Sequence, residues 1–224
     1  MPNPKYISVD TVCELLYLTR GVREVKEAAG DAINRGPFSV VLYGHEKSAA
    51  GHIRLSPKIL GLFRLLERMI HDKCADPAQK KLCLESLKHL QDVYEATLAR
   101  YLTGDLTTGT IWRWTAMVSY DFIKLVQAEF PPALIITAHF VVLTLMLREL
   151  WYVADYGDLA YEGIRIALKG QLGEYLQWAE EQIASDGAGL KHDAAFLEIP
   201  IGGQDEYVTI SRGVTPMIQT PLAE

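Results

Sequence analysis

The chain offers little sulfur chemistry. Its three cysteines, Cys13, Cys74 and Cys83, are odd in number and fall at no metal-ligand spacing. They read as reduced thiols of an intracellular protein, nuclear or cytoplasmic, rather than as a disulfide framework. Positive charge is also scarce, since 22 Lys and Arg stand against 28 Asp and Glu for a formal net charge of −6. A nucleic-acid backbone is held by clustered Lys and Arg. Here Lys80-Lys81 and the spread Arg20, Arg23 and Lys26 read as solvated helix faces, so no direct nucleic-acid binding is expected. The N-terminal MPNPKYISVD lacks both a basic n-region and an apolar h-region, which argues against a secretory signal. Alternating strand sets and internal repeats are missing, as are a Gly-rich phosphate loop after a strand, a DDxxD-type carboxylate cluster and a nucleophile elbow. Neither a metal nor a cofactor is expected. An enzyme remains open, because a cyclase or isomerase can work with one or two acid/base groups in an apolar cavity.

What is present is a centre. From Ala133 to Leu147 run 15 residues of which only Thr137, His139 and Thr144 are polar. A membrane span needs roughly 20 apolar residues, and Arg148-Glu149 close this run first. A helix apolar on nearly every face yet too short to span a bilayer belongs at the middle of a folded domain. Pro131 and Pro132 suit its first positions, where a missing N–H costs least. Helical spacing puts Thr137, Thr144, Arg148 and Trp151 on one stripe. It puts His139 on a face otherwise built from Val142, Leu143, Met146 and Leu150.

The rest of the chain reads as helices around this hub. Ser8 or Asp10 caps a helix to about Arg35, with Val12, Leu15, Leu16, Thr19, Val22 and Val25 on one side. Residues 38–55 read as a loop, although Phe38 to Tyr43 has strand character. Ser56-Pro57 opens a helix to about Lys73, and Asp76-Pro77 opens another to about Leu102, ended by Gly104. A further helix is expected over 111–130, then the hub, then 157–185, whose Gly163, Gly170 and Gly173 weaken its continuity. The fold class is all-α: a bundle of about six to seven helices in one domain, 1–185, followed by an extended or poorly ordered tail, 186–224.

Three segments, LLYLTRGVREV (15–25), WTAMVSYDFIKLVQAEFPPALIITAHFVVL (114–143) and ELWYVADYGDLAYEGI (149–164), together resemble the C-terminal regulatory domain of fungal zinc-cluster transcription factors, the group that includes the sterol uptake control regulators. The resemblance spans about residues 12–180 and rests on Arg20-Gly21-Val22-Arg23, Trp114, Phe122, Pro132-Ala133-Leu134, Ala138-His139, Trp151-Tyr152 and Gly157. It implies a helical module of a transcription regulator that takes a lipophilic small molecule or partner helices, with homodimer formation among its expected associations. The six-cysteine zinc cluster and the helices that usually follow it are missing, Thr115 replaces a proline after Trp114, and Ala179 replaces one after Trp178. The expectation is therefore a fragment, a truncated relative or a stand-alone descendant. In the last case the alternative function is a biosynthetic-pathway enzyme, a cofactor-independent cyclase or isomerase.

Candidate ligand-binding residues are Trp114, Phe122, His139, Leu143, Met146 and Trp151, from which an apolar pocket is built. Trp112, Tyr152 and Trp178 complete the aromatic set; aromatics at helical spacing equally make core. If the chain is an enzyme, His139, Asp121, Tyr120, Arg148 and Glu149 supply its acid, base or oxyanion partner. His139 reads equally as a core histidine bonded to a carbonyl or a tyrosine, and Arg148 and Glu149 as surface ion-pair partners. His71-Asp72 at a helix end is explained by the helix dipole rather than by a metal. Cys83 has no histidine at neighbouring helical spacing, since His89 lies six residues on.

Overall fold

A computed structural model describes residues 6–29, 55–194, 197–200 and 207–210. Among them are nine α-helices: α1 Val9–Ala28, α2 Pro57–Lys73, α3 Pro77–Thr103, α4 Thr108–Met117, α5 Tyr120–Gln127, α6 Pro131–Thr144, α7 Tyr156–Leu168, α8 Gln177–Ala184 and α9 Ala188–Ala194. The protein is an all-α bundle. Its only described strands, β1 Leu197–Pro200 and β2 Tyr207–Ile210, pair antiparallel with Leu197 opposite Ile210.

Helix α6 is the hub. Every residue from Pro132 to Leu147 is buried, the last three forming a 3-10 turn. Fully burying a Leu or Ile stabilises by roughly 2 kcal/mol, so this one element carries a large share of the core. Its polar side chains are met by the helix's own carbonyls. Thr137 Oγ1 donates to Ala133 O at 2.8 Å, Thr144 Oγ1 to Val141 O at 2.6 Å, and His139 Nδ1 sits 2.8 Å from Ile135 O. No single described helix is long and apolar enough to cross a membrane. Helices α5 and α6 pass that test only jointly, and they meet at a 103° bend.

The helix starts follow the caps. Ser8 Oγ accepts from Thr11 N, Ser56 Oγ from Ile59 N, and Asp76 Oδ1 from Ala78 N, satisfying amides that have no partner inside the helix. Gly104, at φ 77°, ends α3 in the left-handed region open to glycine.

Several expectations are corrected. The helix expected over 111–130 is two, because Val118 is extended and Ser119 starts α5, its Oγ accepting from Phe122 N at 3.1 Å. The helix expected over 157–185 is also two, broken where Lys169, Gly170 and Leu172 take positive φ. Gly163 is no break at all. A Cβ there would stand 1.8 Å from Ile7 O, so glycine lets the chain entering α1 cross α7 in backbone contact, with Ile7 N donating to Leu159 O at 2.9 Å. The segment expected as an extended tail from Asp186 begins with α9, whose Leu190 is fully buried and whose backbone N–H donates to Gln182 Oε1. These three additions turn six helices into nine.

On α1 the buried face is Val9, Val12, Cys13 and Leu16, whereas Val22 and Val25 face solvent, 55% and 64% exposed. That helix closes at Ala29, whose N–H donates to Val25 O. The expected end at Arg35 and the stretch Phe38 to Tyr43 lie outside the described residues.

Candidate functional site

Two aromatic clusters flank the middle of α6. Adjacent residues on a helix point about 100° apart, so His139 and Phe140 address different neighbours. Phe140 lies parallel to Trp114, ring centroids 4.6 Å apart, with Phe122 edge-on to Trp114 and Trp112 edge-on to Phe140. The Trp114 indole N–H donates to Ser86 O at 2.9 Å. This cluster is closed and its polar atom is satisfied, which makes Trp114 and Phe122 packing residues.

His139 belongs to the other cluster. Its imidazole lies parallel to the Trp178 indole, 5.9 Å between centroids and 7° between planes. Tyr94 of α3 sits against Trp178 and takes Phe63 of α2 edge-on. The Tyr94 hydroxyl donates to His139 O at 2.7 Å, fixing α3 to the hub. Because a carbonyl only accepts, the contact with Ile135 O assigns the imidazole proton to Nδ1. Nε2 is then a bare lone pair, sealed from solvent and without a hydrogen-bond partner. The Trp178 Nε1 donor and the Thr97 hydroxyl, one turn along α3 from Tyr94, are likewise sealed and unpartnered. Burial pushes the His139 pKa down to about 4, against a smaller opposing effect of the Ile135 hydrogen bond. At neutral pH it is uncharged: an acceptor, with no proton to give from Nε2.

Leu143, one turn on, and Met146 are buried in the hub as expected of pocket or core. Trp151 is not: it is 88% exposed, against Tyr152, on the turns that follow the hub. The stripe drawn through Thr137, Thr144, Arg148 and Trp151 fails because helical spacing ends in the 3-10 turn at 145–147.

The acid/base candidates are not brought together. Tyr120 is exposed, stacked on Tyr17 and covered by the Arg20 guanidinium, 5.0 Å from its ring centroid. Asp121 is exposed and pairs with Lys124 at 2.9 Å. Arg148 bridges Asp158 and Asp186, tying the end of the hub to α7 and to the α8–α9 turn. Glu149 is exposed. His139 alone lies in the core. All three cysteines are free and buried, and burial pushes each thiol up, Cys13 to about 12, the reverse of what a nucleophile needs. Among the described residues no group of three or more His, Cys, Asp and Glu is placed to hold a metal ion, and His71 and Asp72 are both exposed.

Phe63, Tyr94 and Thr97 were not legible as site residues. They sit at ordinary amphipathic positions, and nothing local in their sequence ties them to a histidine some 40 to 80 residues on. Compared with family models, with curated proteins and with solved structures, the chain matches none of them.

Proposed function

We propose that this chain is a non-catalytic ligand-binding regulatory module. Its ligand is a lipophilic small molecule with one hydroxyl, whose O–H donates to His139 Nε2 while its oxygen accepts from Trp178 Nε1. The unpartnered lone pair of His139, in a core where the hub's other polar side chains are satisfied, is the observation that carries this. An unsatisfied buried polar atom costs about 1–3 kcal/mol, which a suitable guest recovers on binding. The surrounding Phe63, Tyr94 and Trp178 rings suit an apolar body. A role in transcription, in a nuclear protein of the fungal zinc-cluster type, rests only on the three resembling segments. DNA reading would belong to a segment other than this one.

An enzyme would need convergent groups, and Tyr120, Asp121, Arg148 and Glu149 are engaged or solvated away from His139. Binding is therefore preferred to turnover.

The test is a pair of probes, a long-chain primary alcohol and the alkane of equal length, titrated by thermal shift and by tryptophan fluorescence. The alcohol should bind at least about tenfold tighter, the worth of one hydrogen bond. His139→Leu should erase that preference, and His139→Gln, which retains an acceptor, should keep part of it. Equal binding of both probes, or of neither, would defeat the proposal. Mass spectrometry of small molecules co-purifying with the protein would then identify the natural ligand.

A further inference from the structure

Helix α1 carries two apolar faces, and only one is used. Val9, Val12, Cys13 and Leu16 are buried against the bundle. On the opposite side Leu18, Val22 and Val25 are 66%, 55% and 64% exposed, with Leu15 half-buried beside them. Thr11, Leu15, Leu18, Val22, Val25 and Ala29 are spaced by four, three, four, three and four residues, the a/d repeat of a two-helix seam. Gly21 lies along the edge of this seam in mid-helix, where glycine weakens the helix. No internal packing accounts for it, since a Cβ there would meet nothing within 4 Å.

We propose that this face is a self-association surface, on which α1 of a second copy packs antiparallel about a two-fold axis at residue 20. The spacing pattern is a palindrome about that point. In this register Leu18 meets Val22 of the second copy and Leu15 meets Val25, so each layer sets a large side chain against a small one. Thr11 meets Ala29 at the two ends. The axis passes between Thr19 and Gly21, each facing its own counterpart. Gly21 there allows close backbone approach, and the Thr19 hydroxyl is already bonded back to Leu15 O and Leu16 O at 2.9 and 3.1 Å, leaving its methyl for the seam. Glu14 falls opposite Ala28, so no like charges oppose each other along that edge. An isologous pairing of this kind closes as a dimer. Being on the surface, it leaves the His139 cluster and its proposed ligand untouched.

The experiment is sedimentation velocity on the full chain over a concentration series, with crosslinking by single introduced cysteines. The wild-type chain should dimerise with a dissociation constant below about 100 µM. Leu18→Glu and Val22→Glu should each weaken self-association by at least about a hundredfold, with helicity and thermal unfolding unchanged because both sites are exposed. Gly21→Cys should give a disulfide-linked dimer under mild oxidation, which an antiparallel pairing about residue 20 allows. Leu18→Cys should not, because Leu18 faces Val22 rather than itself. A chain monomeric throughout the series would overturn the proposal and assign the face to a different partner. So would a dimer indifferent to Leu18→Glu, or crosslinking through Leu18→Cys in preference to Gly21→Cys.

Discussion

Trp178 and His139 lie face to face, their planes within 7° of parallel, on helices that the chain joins only through two further segments. The contact places a polarisable indole over an imidazole that is neutral for want of solvation. It also brings an unpartnered acceptor, Nε2, and an unpartnered donor, Trp178 Nε1, into one enclosed cluster. Core packing alone requires neither atom, and each is costly there without a ligand.

The histidine makes stability depend on pH. Its folded pKa of about 4 lies below the ordinary 6.5, so the unfolded chain takes up a proton between these values and the folded chain does not. Stability is therefore full above pH 6.5, falls as pH drops toward 4, and levels off below for this group. The change amounts to at most about 3 kcal/mol. Denaturant unfolding at pH 7 and at pH 4.5 should show the His139→Gln chain losing less stability on acidification than wild type. Equal losses would mean that His139 is hydrated in the folded protein.

Gly163→Ala tests the crossing of the entering chain over α7. The added methyl cannot share space with Ile7 O, 1.8 Å from its position, so residues 6–8 must lift and the Ile7–Leu159 hydrogen bond must break. A loss of about 2–4 kcal/mol is expected in thermal or urea unfolding. Gly173→Ala, where a Cβ meets nothing within 4 Å, is the matched control and should shift stability by less than about 1 kcal/mol.

Ser119→Ala removes the hydroxyl that caps α5 through Phe122 N. The helix holds Phe122, Ile123 and Val126 in the core, so its fraying is read out globally. Chemical denaturation should report a cost of about 1 kcal/mol, and Ser119→Asp should restore most of it.

Leu143→Asp sets an unpaired carboxylate in the fully buried hub and should abolish folding, seen as loss of cooperative unfolding and of far-UV helicity. Trp151→Asp should leave both unchanged, because that side chain stands in solvent.

The hub was legible in the sequence because an uninterrupted apolar run of 15 residues has no stable place except the core, whatever surrounds it. Helices α2 and α3 were legible almost to the residue, since Ser56-Pro57, Asp76-Pro77 and Gly104 act through local backbone geometry. Local chemistry also held the signal for the break at Ser119, a cap residue three before Phe122, but helical periodicity on both sides masked it.

The sequence by itself determined the all-α class, the central helix and most helix ends, because caps, prolines and apolar spacing act over a few residues. Tertiary structure alone decided which of α1's two apolar faces is buried, since periodicity ranks faces without saying what packs on them. It alone decided that Gly163 is a crossing point and not a break, a matter of which backbone passes above it. It likewise gave His139 its neighbours Tyr94 and Trp178, separated from it by 45 and 39 residues, because contact at that range is set by how whole helices pack and leaves no mark in the local chain.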